Sequence, residues 1–102
     1  MTIEDKTILN SAEVDEQLEI LEGWRREGSI LVREFTLKSF KDITSFLNYL
    51  VTTITTQNHH PDFYLDTGKR TIGVSVTTHS EKAITRADIL FAQTLNAWKP
   101  GR

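Results

Sequence analysis

Three imidazoles carry most of the chemistry that this chain can offer. His59 and His60 stand side by side in Gln57-Asn58-His59-His60-Pro61-Asp62, and His79 follows in Thr77-Thr78-His79-Ser80. Imidazole is the side chain whose unperturbed pKa, about 6.5, lies nearest neutrality. Two of them in one cleft can hold opposite protonation states at pH 7, so that one gives a proton as the other takes one. Asp88 stands nine residues beyond His79. Its place suits the third position of a helix capped by Thr85, and a carboxylate at that helix end can also face a site. The chain has no cysteine. That removes thiolate nucleophiles, disulfides and cysteine zinc sites together, and fits a reducing compartment.

The residue types alone leave other readings open. The plainest is that these are loop histidines, solvent-exposed and idle. Zinc is another, because three histidines suit it. Neighbouring residues of an extended chain point to opposite sides, however, so His59 and His60 do not readily serve one ion. No helical His-Glu-x-x-His spacing occurs either. The expectation is therefore no metal.

The elements must bring these residues together. A first helix is expected from a Ser11 cap, with Val14, Leu18 and Leu21 on one face and Gly23 ending it. Trp24 to Glu27 and Ile30 to Leu37 read as two strands of a hairpin. The strongest helix signal opens at Ser39, with Asp42 as its capping-box partner. Phe40, Ile43, Phe46, Leu47, Leu50, Val51 and Ile54 form its apolar stripe. The run Val51-Thr52-Thr53-Ile54-Thr55-Thr56 is poor in helix propensity, but the period outweighs it. Pro61 disfavours a helical His60, so the helix should stop near Gln57 or Asn58.

Phe63 to Leu65 and Thr71 to Thr78 read as a second hairpin, turning at Asp66-Thr67-Gly68-Lys69-Arg70. In its later strand, Ile72, Val74 and Val76 alternate with small or polar residues, and His79 would share the polar parity. A hairpin brings the start of its first strand beside the end of its second, which places all three histidines at one end of the sheet. The last helix starts at Thr85 and carries Ala87, Leu90, Phe91, Thr94, Leu95 and Trp98 on one face. Thr85 with Asp88 makes a capping box, and Ile84 with Ile89 a hydrophobic staple. Trp24 and Trp98 read as core or interface residues, Asp62 and Asp66 as turn and surface charges.

The order is α-β-β-α-β-β-α: an α+β fold, a four-stranded antiparallel sheet with three helices packed on one face. The other face should be polar and the edge strands free to pair between subunits. A length of 102 residues fits one domain, 1–102. A domain of that size buries only roughly 60–70% of its unfolded surface, so partner subunits would aid stability. The formal charge is −2 and the pI about 5.9. With no long basic run, no direct grip on nucleic acid is expected. The acidic N-terminus lacks an apolar signal-peptide core, and no stretch has the roughly 20 apolar residues of a membrane span. The expected location is cytoplasmic.

Taken in order, Gly23-Trp24, Glu34-Phe35-Thr36-Leu37-Lys38-Ser39-Phe40, Asn58-His59-His60-Pro61-Asp62-Phe63, Thr77-Thr78-His79 and Thr85-Arg86-Ala87-Asp88-Ile89 resemble the pterin-4a-carbinolamine dehydratases, also called 4a-hydroxytetrahydrobiopterin dehydratases. The likeness covers about two-thirds of the chain. It implies an antiparallel four-stranded sheet under three helices, and a homodimer or homotetramer. Some animal members of the family also bind a homeodomain transcription factor. The implied reaction removes water from a 4a-hydroxytetrahydropterin to give a quinonoid dihydropterin, recycling the cofactor of aromatic amino acid hydroxylases. It needs no metal or organic cofactor.

By the same resemblance, His59 and His79 form the acid/base pair and His60 orients the pterin. Asp88 fixes an imidazole or contacts the ring, and Thr55 and Phe63 are the remaining candidate substrate contacts. A non-catalytic pterin-binding or dimerisation module on the same scaffold is the alternative. Three departures from the family pattern stand out. Thr55 takes the place of a usual ionisable residue four positions before His59. The span from His59 to His79 is about two residues longer, with Phe63 and Tyr64 early. Ala83 replaces a usual glycine, where a left-handed backbone would be strained.

Overall fold

The computed structural model describes residues 4–100. Its elements are α1 (Ser11–Leu18), β1 (Arg25–Glu27), β2 (Ile30–Thr36), α2 (Phe40–Gln57), β3 (Asp62–Asp66), β4 (Thr71–Val76) and α3 (Arg86–Asn96). The expected order holds. The sheet runs β1-β2-β4-β3 and every pairing is antiparallel, so β1 and β3 are its free edges.

The core lies between one sheet face and the helices. Leu31 and Phe35 of β2 and Ile72, Val74 and Val76 of β4 meet Val14, Ile43, Phe46, Leu50, Phe91 and Leu95. Burying a side chain of this size contributes roughly 1.5–3 kcal/mol before entropy is counted. Both tryptophans join this core. Trp24 packs edge-on to Phe35, Phe35 on Phe46, and Phe46 edge-on to Trp98. The Trp24 indole N–H donates to Asn96 Oδ1 at 2.8 Å.

Several local expectations need correction. The cap of α1 is Asn10, which forms a full capping box with Glu13; Ser11 is already helical. Ser39 caps α2 by accepting from the Asp42 N–H, without a reciprocal bond from the Ser39 N–H to the Asp42 carboxylate. β1 starts at Arg25, because Trp24 has turned into the core. β2 ends at Thr36, but the Leu37 N–H still bonds to Arg70 O at 2.8 Å. β3 is one residue longer at each end than expected.

The buried stripe of α2 is Ile43, Phe46, Leu50 and Thr53, whereas Phe40 and Val51 are exposed. On α3, Asp88, Ile89 and Ala92 join Ala87, Phe91 and Leu95 in the interior. Leu90 faces out and Thr94 is half-buried. The threonine-rich end of α2 stays helical because its hydroxyls fold back on the helix. Thr53 donates to Tyr49 O at 2.8 Å and Thr55 to Val51 O at 3.1 Å, the usual habit of helical threonine.

Asn58 ends α2 in the left-handed conformation, at φ 51° and ψ 42°. Asparagine tolerates that region, so the helix stops on it before Pro61 acts. β4 leaves the sheet after Val76, two residues earlier than its alternation suggests. Thr78 then pairs with Ala83 across a tight turn. His79 opens that turn, so strand parity does not set its direction. The left-handed residue there is Lys82, at φ 52°; Ala83 is not among the positive-φ residues. The anticipated strain at Ala83 is therefore absent.

Candidate active site

Three chain segments meet at one end of the sheet. The left-handed turn at Asn58 directs His59 inward, where it is 4% exposed, and leaves His60 exposed. The Thr78–Ala83 turn presents an exposed His79. The third segment, residues 5–9, was not anticipated. It runs antiparallel to residues 84–87: Leu9 N–H donates to Ile84 O, Arg86 N–H to Thr7 O and Ala87 N–H to Asp5 O, all within 2.9–3.1 Å. The first N–H groups of a helix have no partner within it. Here two of those of α3 are satisfied by this N-terminal arm.

The three segments enclose a cleft of about 240 Å³. All three histidines line it, with Glu4, Lys6, Asn58, Thr77, Thr78 and Ser80. Two larger hollows, of about 380 Å³ beside α1 and about 550 Å³ beside Trp98, contain no histidine. Chemistry rather than size distinguishes the smaller cleft.

Asp88 lies behind the cleft wall and is fully buried. Its Oδ1 is 2.5 Å from His59 Nε2. Its Oδ2 accepts from the Thr78 hydroxyl at 2.9 Å and from the Thr85 N–H at 2.9 Å. The Thr78 and Thr85 hydroxyls are 2.7 Å apart. Since Thr78 gives its proton to Asp88, Thr85 must give its own to Thr78. On the opposite edge of the ring, His59 Nδ1 bonds to Glu4, and Lys6 Nζ lies 3.8 Å from the other Glu4 oxygen. Asp88, His59, Glu4 and Lys6 thus form a row of alternating charge.

Burial alone would pull the His59 pKa down. Hydrogen bonds donated by the ring to Asp88 and Glu4, and the charges of both carboxylates, outweigh burial and hold it above the ordinary value. Each ring nitrogen faces a carboxylate, so the form that satisfies both is the imidazolium.

Of the residues singled out from sequence, His59, His60 and His79 share the cleft. Asp88 is not among the lining residues; it stands behind His59 and Thr78, which are, and bonds to both. Thr55 and Phe63 do not line the cleft. Thr55 is exposed on α2, its hydroxyl committed to Val51 O. Phe63 is 44% exposed on edge strand β3. Glu4, Lys6 and Thr78 were missed. Nothing in the local sequence marks residues 4–9 as an arm, because their partners lie about 55 to 80 positions away. The Thr67–Arg70 turn closes the far end of β3 and β4. Any added hairpin length falls there, roughly 13 Å along the strands from the cleft.

Among the described residues, no group of three or more histidine, aspartate or glutamate side chains is arranged to hold a metal ion. Nor is any of their helices long and apolar enough to cross a membrane.

Comparison with known proteins agrees with this architecture. Residues 7–98 match the family described as pterin 4 alpha carbinolamine dehydratase. A Nostoc punctiforme protein provisionally named a pterin-4-alpha-carbinolamine dehydratase is 35% identical, over 90% of this chain and 97% of its own. A Sulfurisphaera tokodaii protein with the same provisional name is 31% identical, over 86% of this chain and 92% of its own. The crystal structure of a Brucella melitensis protein described as a transcriptional coactivator/pterin dehydratase superimposes with a TM-score of 0.82 at 28% identity. That likeness covers 89% of this chain and 97% of that one. With the family match spanning nearly all of the chain and the same three-helix, four-stranded fold, this protein belongs to the pterin 4 alpha carbinolamine dehydratase family.

Proposed function

We propose that the protein dehydrates a 4a-hydroxytetrahydropterin to the quinonoid dihydropterin by histidine acid/base catalysis, returning the pterin to reductive recycling. The observation that carries this reading is the convergence of His59, His60 and His79 on one cleft, with His59 held by Asp88. A carbinolamine bears its hydroxyl and a ring nitrogen on the same carbon. The C–O bond breaks as an imidazolium protonates the departing hydroxyl, and water leaves. The ring N–H gives its proton to a neutral imidazole, and its electron pair forms the new C=N bond. His59, held as the cation, is assigned as the acid, and exposed His79 as the base. The proton gained by His79 returns to His59 through solvent, so no net proton is consumed. His60 orients the pterin, and Asp88 acts through His59. Thr55 and Phe63, off the cleft, receive no part in this scheme. The test is turnover of freshly generated 4a-hydroxytetrahydropterin, followed by ultraviolet absorbance, with wild type and His79→Ala side by side. Acceleration by wild type that is lost in the variant supports the reading; no acceleration by folded wild type rejects it.

A second reading, assembly into a homodimer or homotetramer, rests on a different observation. Phe63, Tyr64 and Leu65 are exposed in succession along β3, an unpaired sheet edge, and such an edge is a template for a second strand. Sedimentation at micromolar concentration tests it: a monomer rejects it. An oligomer without dehydratase activity would favour an interaction module over the enzyme.

A further inference from the structure

The Glu4–His59 contact extends the site into the N-terminal arm. We propose that Glu4 is a positioning residue that fixes the Nδ1–H of His59 toward the cleft, so that the arm completes the acid/base site. The inference rests on the dehydratase reading for its catalytic meaning, but its geometry stands apart from it.

Three observations carry it. First, the arm has a fixed path. It bonds to the opening residues of α3 through Asp5, Thr7 and Leu9, and Ile8 pairs with Thr85. Glu4 therefore starts from an anchored backbone, next to the helix that carries Asp88. Second, the two carboxylates on His59 are unlike. Asp88 is fully buried and accepts from three donors. Glu4 keeps 18% of its side chain exposed, lines the cleft, and among the described residues its carboxylate meets His59 and Lys6. Asp88 is thus a permanent support, whereas Glu4 can share the Nδ1–H with a bound molecule. Third, among the described residues no other acceptor takes that role. The charged or titratable groups facing the cleft are Glu4 and Lys6 from the arm, His60 after α2, and His79 in the β4–α3 turn. Thr55, on the last turn of α2, keeps its hydroxyl on Val51 O.

The physical consequence concerns the charge state of the ring. With both carboxylates present, each N–H has an acceptor and the imidazolium is favoured. Without Glu4, only Asp88 opposes the burial of the cation. His59 should then lose its proton at lower pH, and its ring should be held from one side only.

The test compares wild type with Glu4→Gln and Glu4→Asp. NMR titration of the His59 ring in the substrate-free protein reads the geometry directly. The expected result is a His59 midpoint lowered by about one pH unit in Glu4→Gln, with part of it restored in Glu4→Asp. The same midpoint in all three proteins overturns the proposal. Turnover against pH reads the catalytic part. The basic limb of kcat should move to lower pH in Glu4→Gln, with about a tenfold loss on that limb and little change at pH 6. An equal loss at every pH indicates a merely structural role and overturns the positioning assignment. If wild type proves inactive on the carbinolamine while the midpoint still shifts, the dehydratase reading falls and the hold of Glu4 on His59 stands.

Discussion

His59 Nε2 sits 2.5 Å from Asp88 Oδ1, with His59 buried and Asp88 fully so. A carboxylate taken out of water is costly unless it is paired and its lone pairs are filled. Asp88 meets both conditions: the imidazolium supplies the charge, and Thr78 and the Thr85 N–H fill the second oxygen. The capping role of Asp88 and its support of His59 therefore coexist, one on each oxygen.

That pairing makes stability depend on pH in a definite direction. The His59 pKa is raised in the folded protein. The stabilisation is fully present below the unfolded value of about 6.5 and is lost as pH rises through the higher folded value. Thermal unfolding scans from pH 6 to pH 9 should show the melting temperature falling with pH. Asp88→Asn should flatten the curve. An amide must turn its NH₂ toward one side: facing His59, it needs a neutral ring; facing Thr85, it opposes the backbone N–H. Breaking the buried pair should cost about 3 kcal/mol. A wild-type curve that is flat above pH 6.5 would contradict this account.

Thr78→Val isolates the support from the charge. Valine keeps the shape and removes a hydroxyl that donates to Asp88 and accepts from Thr85. Two buried polar groups lose a partner, at roughly 1–3 kcal/mol. Urea unfolding should show the midpoint drop with an unchanged slope. A loss below about 0.5 kcal/mol would mean that the hydroxyl is dispensable.

His60→Ala separates the exposed imidazole from the clamped one. No hydrogen bond ties the His60 ring to the protein among the described residues, so the fold should be unaffected. If His60 orients the pterin, KM should rise about tenfold while kcat changes little, the signature of lost uniform binding. In His79→Ala, kcat should instead fall about 10²–10⁴-fold, the usual worth of a general base. Steady-state kinetics on the carbinolamine would separate the two, and a kcat loss in His60→Ala equal to that in His79→Ala would overturn the division of roles.

Much of this arrangement could be read from local pattern. Periodicity located α2 and α3, alternation located β4, and Thr85 with Asp88 announced a cap that the structure has. The hairpin argument brought the histidines to one end of the sheet because antiparallel pairing dictates it. What escaped was non-local. Glu4 meets His59 across 55 positions, and the arm is held by backbone bonds that leave no trace in residue type. Strand ends shifted because Thr78 found a partner in Ala83 outside the sheet. Thr55 and Phe63 were carried by resemblance alone, and neither lies on the cleft.

The turn that presents His79 offers the last prediction. Lys82 holds φ 52°, a region that costs a residue with a Cβ roughly 1–2 kcal/mol. Glycine accepts it freely but loses more entropy on folding. Lys82→Gly should therefore be neutral to stabilising by up to about 1 kcal/mol. Ala83→Gly relieves nothing, because Ala83 is not left-handed, and should destabilise by roughly 0.5–1 kcal/mol. Chemical denaturation of both variants against wild type decides it. The opposite ranking would mean that the left-handed residue sits at position 83, and that the His79 turn is built one residue later than described.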